Sequence, residues 1–503
     1  MSLYASYEIY IDRERCIKCG TCVRECPTNV LAIDKEGRVY PVNELHCTGC
    51  RICERVCPTH AIFVRQVEPE RFVRGIWTQN IVEKIRYMAK TGRYIVRGYG
   101  FMGNQIHFDD FILVPAQLAE PVPVDFYREN VDVEVVIGEG RVKKPLRLKT
   151  PVMIAAMSYG ATSKEFKLAC AKAANMVGTA SNTGEGGMVI EHTEDGIRWI
   201  EYEYTKPNGA LIVQFASGRW GVNVDYLLHS DAIEIKIGQG AKPGMGGHLL
   251  GEKVTKEIAL ARGVPEGTDI LSPARHLDVR SRDDLKHLVA IIRDIVDYEK
   301  PIIIKLGPGR VYKDVKIAVE ADVDAIAVDG SVGGTGAAPE PAIQGLGLPT
   351  PVAISEAVKA LKDCGVYGDV KLIALGGIRD GVDVVKALAL GADAVAMASA
   401  IEIAAGCQVC GMCHTGRCPV GICTQDPKLR RRLNIDLTAR KIANFLNAVT
   451  REVKMLTAAM GHRSIRELSK EDLRALNVSA SLMTGVKLAG LESIPTLVFR
   501  RSS

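Results

Sequence analysis

The 503-residue chain is 47% hydrophobic and 24% charged, ordinary globular proportions with length for about three domains and a large core. The net charge of +5 comes without a run of Lys and Arg interleaved with aromatics, which argues against nucleic acid as a partner; Lys428–Arg432 reads as a solvated face. No segment has the length and apolarity of a membrane span and the N-terminus lacks an apolar signal core, so a cytoplasmic protein is expected.

Eight of the fifteen cysteines precede residue 58, five lie between 407 and 423, and Cys170 and Cys364 stand alone. In a reducing compartment, clustered cysteines read as metal or iron–sulfur ligands rather than disulfides, and isolated ones as small core hydrophobes.

Taken in order, residues 16–27 read Cys-Ile-Lys-Cys-Gly-Thr-Cys-Val-Arg-Glu-Cys-Pro, and residues 47–58 read Cys-Thr-Gly-Cys-Arg-Ile-Cys-Glu-Arg-Val-Cys-Pro. Each is the C-x2-C-x2-C-x3-C-P run of two-cluster ferredoxins, in which the fourth cysteine serves the other cluster. That rule assigns Cys16, Cys19, Cys22 and Cys57 to one [4Fe–4S] cluster, and Cys47, Cys50, Cys53 and Cys26 to a second. Paired zinc sites are the alternative, but zinc motifs rarely use four cysteines so tightly spaced. Residues 1–68 therefore read as an α+β ferredoxin-like electron wire.

Residues 69–150 carry less signal. An amphipathic piece near Ile81–Lys90 predicts a helix, and Phe108–Pro123, rich in Pro and polar breaks, predicts an extended linker laid over the next domain. No chemistry is assigned to this segment.

From 151 to 405 short apolar runs alternate with helical stretches. The runs are Val152–Met157, Met176–Ala180, Ala210–Phe215, Ala232–Ile237, Pro301–Leu306, Asp324–Val328, Lys371–Leu375 and Asp393–Ala398. Amphipathic stretches such as Arg282–Tyr298, Lys313–Ala321, Ile354–Lys362 and Gly381–Leu390 separate several of them. Eight strands over about 250 residues predict an α/β fold, a (β/α)8 TIM barrel. A doubly wound sheet is the runner-up, weakened because no G-x-G-x-x-G follows an early strand.

Barrel chemistry sits at the C-terminal ends of the strands. Met157 and Ser158 follow the first run, Ser181-Asn182-Thr-Gly-Glu185-Gly-Gly the second, and Gln214 ends the third. The fourth breaks into a glycine-rich loop with Lys236 inside the strand and Lys242 beyond it. A lysine in a buried run must pair, snorkel or serve a site; two amines six residues apart can converge on one anion. Lys305 lies near the end of the fifth run, either at a barrel-interior carboxylate or beside a cofactor. Asp329, Gly333, Gly334 and Thr335 follow the sixth, Gly376, Gly377 and Arg379 the seventh, and Ala398 and Ser399 the eighth. The last two loops are where barrel enzymes bind phosphate on backbone N–H groups. Clusters upstream of a phosphate-binding barrel imply a phosphate-bearing redox cofactor, and FMN is the economical choice because flavin exchanges electrons singly and in pairs.

These segments resemble the FMN-binding synthase domain of glutamate synthase. The resemblance runs over roughly residues 100–460 and rests on Ser181–Gly187, Gln214–Gly221, Ile235–Gly244, Asp329–Gly336, Gly376–Arg379 and Cys418–Gln425. It implies reductive conversion of 2-oxoglutarate and ammonia to L-glutamate through 2-iminoglutarate. It further implies Lys236, Lys242, Gln239 and Arg262 on the substrate side, and Glu185 near the flavin handling protons or ammonium, unless it merely pairs with a lysine. It also implies a third cluster on Cys407, Cys413 and Cys418. Cys410 and Cys423 depart from that pattern and leave open [3Fe–4S] or [4Fe–4S].

The chain passes from Met1-Ser-Leu to ferredoxin motifs without an amidotransferase nucleophile or nucleotide fingerprint. The resemblance, to the archaeal-type layout, therefore implies ammonia from solution or a separate glutaminase subunit, and electrons from ferredoxin or a separate NAD(P)H-dependent reductase subunit. In the extension 406–503, Leu437–Met460 reads as a helix and Ser464–Leu473 as a capped helix, packed beside the barrel or forming a homo-oligomer contact. Two other readings keep the cofactors: a synthase using methylamine, and an electron-relay subunit without turnover. An intact carboxylate clamp argues against the relay.

Overall fold

The computed structural model describes residues 7–67, 78–101, 103–118, 122–194 and 196–491. Its centre is an eight-stranded parallel barrel: β1 (Val152–Ile154), β2 (Ala180–Asn182), β3 (Ala210–Phe215), β4 (Ala232–Lys236), β5 (Ile302–Leu306), β6 (Ala325–Asp329), β7 (Lys371–Leu375) and β8 (Ala394–Met397). β8 pairs back onto β1, and across the remaining seam the Thr179 hydroxyl donates to the Val152 carbonyl at 2.6 Å. The strands are almost wholly buried, as parallel strands covered on both faces must be, which is why they read as continuous apolar runs rather than alternating ones.

The N-terminal face is closed by an antiparallel hairpin, Val135–Ile137 with Leu146–Leu148. Beneath β6 the buried Asp324 accepts from the Ile302 amide at 2.8 Å and pairs with Arg141 at 2.9 Å and Arg293 at 3.1 Å. A long helix, Ile435–Ala459, packs against the barrel helices Lys164–Val177 and Gly381–Ala389. The cysteine-rich stretch before it is strapped to the loop after β1: the Ser163 amide donates to the Ile422 carbonyl at 2.7 Å, and the Gln425 amide group to Gly160 and Thr162 carbonyls.

The N-terminal region pairs Tyr7–Ile11 with Ile62–Gln66 and Leu31–Ile33 with Val39–Pro41, around short helices Thr21–Glu25 and Ile52–Arg55. It meets the rest of the chain through Arg432, whose guanidinium bonds the Glu25 carboxylate at 2.7 Å, and through the Lys428 amine on the Arg24 carbonyl.

Three expectations need correction. In the run Met176–Ala180, Met176 and Val177 end a helix; Gly178 caps it at φ 78°, and β2 begins only at Ala180. Within Phe108–Pro123, Phe108–Asp110 forms a 3-10 turn and Phe111–Leu113 a strand paired with Leu473–Ala475. Ser464–Leu473 forms two 3-10 turns, because Ser469 restarts a cap with Asp472 and Leu473 is taken by that strand. Among the described residues no helix is long and apolar enough to cross a membrane.

Replacing Asp324 by Ala strands two arginines and a strand amide, and breaking a buried pair in this way costs about 3–5 kcal/mol. Chemical denaturation should read a loss of that size with the site's chemistry otherwise intact.

Candidate functional site

A cavity of about 1230 Å³ opens at the C-terminal mouth of the barrel. Its walls come from the strand-end loops, from Gly98–Phe101, and from the cysteine-rich segment at Cys410 and Cys423. Residues 69–150, expected to carry no chemistry, thus contribute to the cavity wall: the Tyr99 amide donates to the Thr335 carbonyl at 2.8 Å. A Cβ at Gly100 would lie 2.7 Å from the Val332 carbonyl, a close approach that only glycine permits.

The charge is concentrated between β2, β4 and β5. In-register pairing sets Lys236 beside Lys305, and each is answered by a carboxylate. Lys236 bonds Glu185 at 3.0 Å, and Lys305 bonds Asp329 at 3.3 Å. Burial pushes the Glu185 carboxyl up, but Lys236, the Ser272 hydroxyl donating to it and nearby Arg262 outweigh this and hold it down at about 2. This pairing favours the carboxylate form of Glu185. For Lys305, burial opposes the charge, while Asp329 and Glu234 overcome it and raise the amine above its ordinary range. Glu234, absent from the sequence expectations, also accepts from Gln214 at 2.6 Å.

Among the described residues Lys242 has no carboxylate partner. Its amine donates to the Ala337 carbonyl at 2.9 Å, and burial together with Lys236 pulls it down to about 8. Arg262 is buried beneath the Glu185 loop, donating to the Tyr159 and Glu185 carbonyls at 2.7 and 3.1 Å. Burial lowers it to about 10, and its Nε has no partner among the described residues. Gly186, at φ 102°, is obligatory above it, since a Cβ there would sit 2.3 Å from the Arg262 guanidinium carbon. Gln239 bonds Thr335 at 3.3 Å. Sequence reasoning missed His248 and Ser272, both on the cavity wall. His248 lies in the range of Lys242 and Glu185 and is lowered by burial and that amine. Its position in the lysine loop was the available signal.

Met157, Ser158, Gln214, Lys305, Asp329, Gly333, Gly334, Thr335, Gly376, Gly377, Ala398 and Ser399 all border the cavity. Gly376 and Gly377 have φ of 100° and 71°, and a Cβ at Gly334 would approach the Ser399 hydroxyl to 2.6 Å. The result is a glycine cradle facing the start of helix Ser399–Ala404. Three predicted cofactor residues behave otherwise. Ser181 is buried within β2 and does not line the cavity. Asn182 is also off the wall and accepts from the Gly184 amide at 2.9 Å, shaping the Glu185 loop. Arg379 reaches the wall, but its guanidinium is bound by Asp109 at 2.5 Å and Asp383 at 2.7 Å, so two carboxylates already take the charge expected to serve a phosphate.

The N-terminal cysteines fall into the interleaved sets expected of them. Cys16, Cys19, Cys22 and Cys57 line one cavity of about 20 Å³. Cys53 has Cys50, Cys47 and Cys26 as its thiol neighbours. Farther along, Cys413 is neighbour to both Cys407 and Cys418, with the Tyr99 hydroxyl 3.4 Å from the Cys407 sulfur.

A barrel with a cationic, glycine-cradled mouth, joined to a cysteine-ligand domain, defines the class: an iron–sulfur barrel oxidoreductase. Residues 9–64 match the 4Fe-4S dicluster domain, and residues 116–463 match the conserved region in glutamate synthase. The chain is 39% identical to the archaeal glutamate synthase [NADPH] of Methanocaldococcus jannaschii, covering 96% of this chain and 98% of that one. It is 40% identical to the archaeal-type glutamate synthase [NADPH] of Thermotoga maritima, again over 96% and 98%. Identity to the glutamate synthase large subunit-like protein of Rhizobium meliloti is 40%, over 82% and 94%. The chain belongs to the glutamate synthase family, of the archaeal type, and is an oxidoreductase of amino-acid biosynthesis.

Gly376→Ala forces a Cβ to 2.8 Å from the Gly330 carbonyl at a positive φ, strain of about 1–3 kcal/mol. The variant should fold yet retain phosphate-bearing cofactor about tenfold less firmly, read as the cofactor released on gel filtration.

Proposed function

We propose that the cavity carries out reductive amination of 2-oxoglutarate with ammonia, through 2-iminoglutarate, to L-glutamate. The observation that carries this reading is the convergence of Lys236, Lys242 and Arg262 on one cavity, where Glu185 answers Lys236 and Asp329 answers Lys305. A doubly acidic keto compound needs such a surplus of cations, and charge-assisted bonds are the strong ones.

FMN fits the cradle, since the glycines leave room for close backbone approach and the amides at the start of Ser399–Ala404 suit a phosphate. Met157, Ser158, Gln214, Gly333, Gly334, Gly376, Gly377 and Ser399 would hold it, with Lys305 toward a ring edge. Bound there, FMN supplies hydride after taking electrons singly from iron–sulfur centres. The two interleaved N-terminal sets suit two [4Fe–4S] clusters, and the group around Cys413 suits a third. NADPH stands in the names of the archaeal and archaeal-type relatives; we assign the donor to ferredoxin or a reductase partner, and the ammonia to solution or a glutaminase partner, in the cytoplasm.

The chain's own groups divide the work by charge. Arg262 and Lys242 grip the substrate carboxylates and orient the keto carbon. Glu185, held anionic, steadies Lys236 and attracts ammonium into the mouth. Addition of ammonia to the ketone gives a carbinolamine, whose hydroxyl must gain a proton to leave as water. Lys242, poised near 8, is the group able to give that proton near neutrality.

An anaerobic assay of the purified protein with reduced ferredoxin, 2-oxoglutarate and ammonium should yield L-glutamate. Lys242→Ala should cut kcat/KM by about 100-fold or more while flavin and clusters remain; unimpaired glutamate formation by that variant would remove the lysine's role. Because Lys242 grips as a cation, KM for 2-oxoglutarate should be flat below about pH 7 and climb as pH rises through the amine's pKa. A KM that falls over that interval contradicts the assignment.

A further inference from the structure

We propose that the third cysteine group is a ferredoxin-type [4Fe–4S] site in which Cys410 is a ligand beside Cys407, Cys413 and Cys418, while Cys423 stands outside it. The inference deepens the reading above, since it rests on a third cluster being present.

The first ground is backbone conformation. In both N-terminal motifs the residue before the second cysteine and the residue after it adopt positive φ: Lys18 at 57° and Gly20 at 69°, Gly49 at 65° and Arg51 at 54°. The third group repeats this, with Val409 at 52° and Gly411 at 68° flanking Cys410. Left-handed geometry is a genuine outlier for a β-branched residue and persists only where surroundings impose it. Cys410 therefore occupies the place that Cys19 and Cys50 hold in their own loops. A helical turn follows in all three cases: Thr21–Glu25, Ile52–Arg55 and Cys413–Thr415.

The second ground is hydrogen bonding to sulfur. The amide two residues on donates to the thiol at Cys19, Cys47 and Cys57. The same bond recurs from Val409 to Cys407 at 3.4 Å, from Met412 to Cys410 and from Val420 to Cys418. Such N–H groups stabilise ligand thiolates. Cys418 precedes Pro419 just as Cys26 and Cys57 precede Pro27 and Pro58. Spacing from the third to the fourth cysteine is one residue longer, and Gly416 at φ 69° turns within it.

Cys423 lacks this dress. Its thiol donates to the Glu402 carboxylate at 3.6 Å and hydrogen-bonds with the Cys413 thiol, so it is already engaged without being a ligand. Cys410 lines the cavity and has Cys413, Cys418 and Cys50 of the N-terminal domain as its thiol neighbours. As a ligand it would bring the third cluster toward the one held by Cys47, Cys50, Cys53 and Cys26.

The test uses full-length protein prepared anaerobically, with iron and sulfide analysis and EPR of the oxidised state. Wild type should carry about 12 iron per chain with no three-iron signal. Cys410→Ala should fall to about 11 and gain that signal at one spin per chain, while Cys423→Ala stays as wild type. A full three-iron signal in wild type, or conversion by Cys423→Ala instead of Cys410→Ala, overturns the proposal. The wild-type spectrum decides nuclearity even if Cys410→Ala does not fold. A wild-type content of about 8 iron would remove the third cluster itself, and with it part of the proposed function.

Discussion

The site depends on how two neighbouring lysines are neutralised inside a barrel. Register places Lys236 directly opposite Lys305 at the ends of β4 and β5, and unpaired ammonium groups at that depth would be too costly to keep. Glu185, Glu234 and Asp329 answer them. To reach Lys236, Glu185 must ride on a loop tight enough to need Gly186 over Arg262 and Gly247 beside its own carboxylate. That loop is held from below by the buried Lys167, which donates to the Asn182 and Thr183 carbonyls and pairs with Glu201. With those pairs made, Lys242 is left without a carboxylate partner among the described residues, and on that ground we propose it as a ligand-binding group.

The same economy governs the other end of the molecule. Thiols at three places in the chain are wrapped by left-handed turns and backbone amides, and the two interleaved N-terminal sets lie against the stretch after the barrel. Arg432 grips Glu25, adjacent to Cys26, and Cys410 has Cys50 for a neighbour. The exposed Cys19 belongs to the set that includes Cys57, and we propose electron entry there and exit toward the barrel mouth.

Much of this was legible in residue patterns. Continuous apolar runs located the strands because parallel barrel strands are buried on both faces, and C-x2-C spacing located the clusters because it reflects local loop geometry. What escaped notice depends on contacts distant in sequence. Arg379 looked free until Asp109, 270 residues away, was brought against it. Ser181 and Asn182 sit in a glycine-rich segment that does reach the cavity, but the strand buries both side chains, Asn182 shaping the Glu185 loop and the Ser181 hydroxyl lacking a partner among the described residues. Gly98–Phe101 had no periodicity to betray a wall of the cavity. The run at Met176 misled because apolar residues at a helix end, here the exposed Met176 and half-buried Val177, look like the start of a strand.

The central claim is that surplus positive charge in the barrel mouth selects a dicarboxylate. Equilibrium binding to the oxidised holoenzyme, followed through the visible flavin spectrum without turnover, tests it by comparing 2-oxoglutarate with 2-oxobutyrate, which lacks the second carboxylate. Loss of a charge-assisted contact predicts about 10- to 100-fold weaker binding of the monoacid. Equal affinity for the two acids would contradict the account.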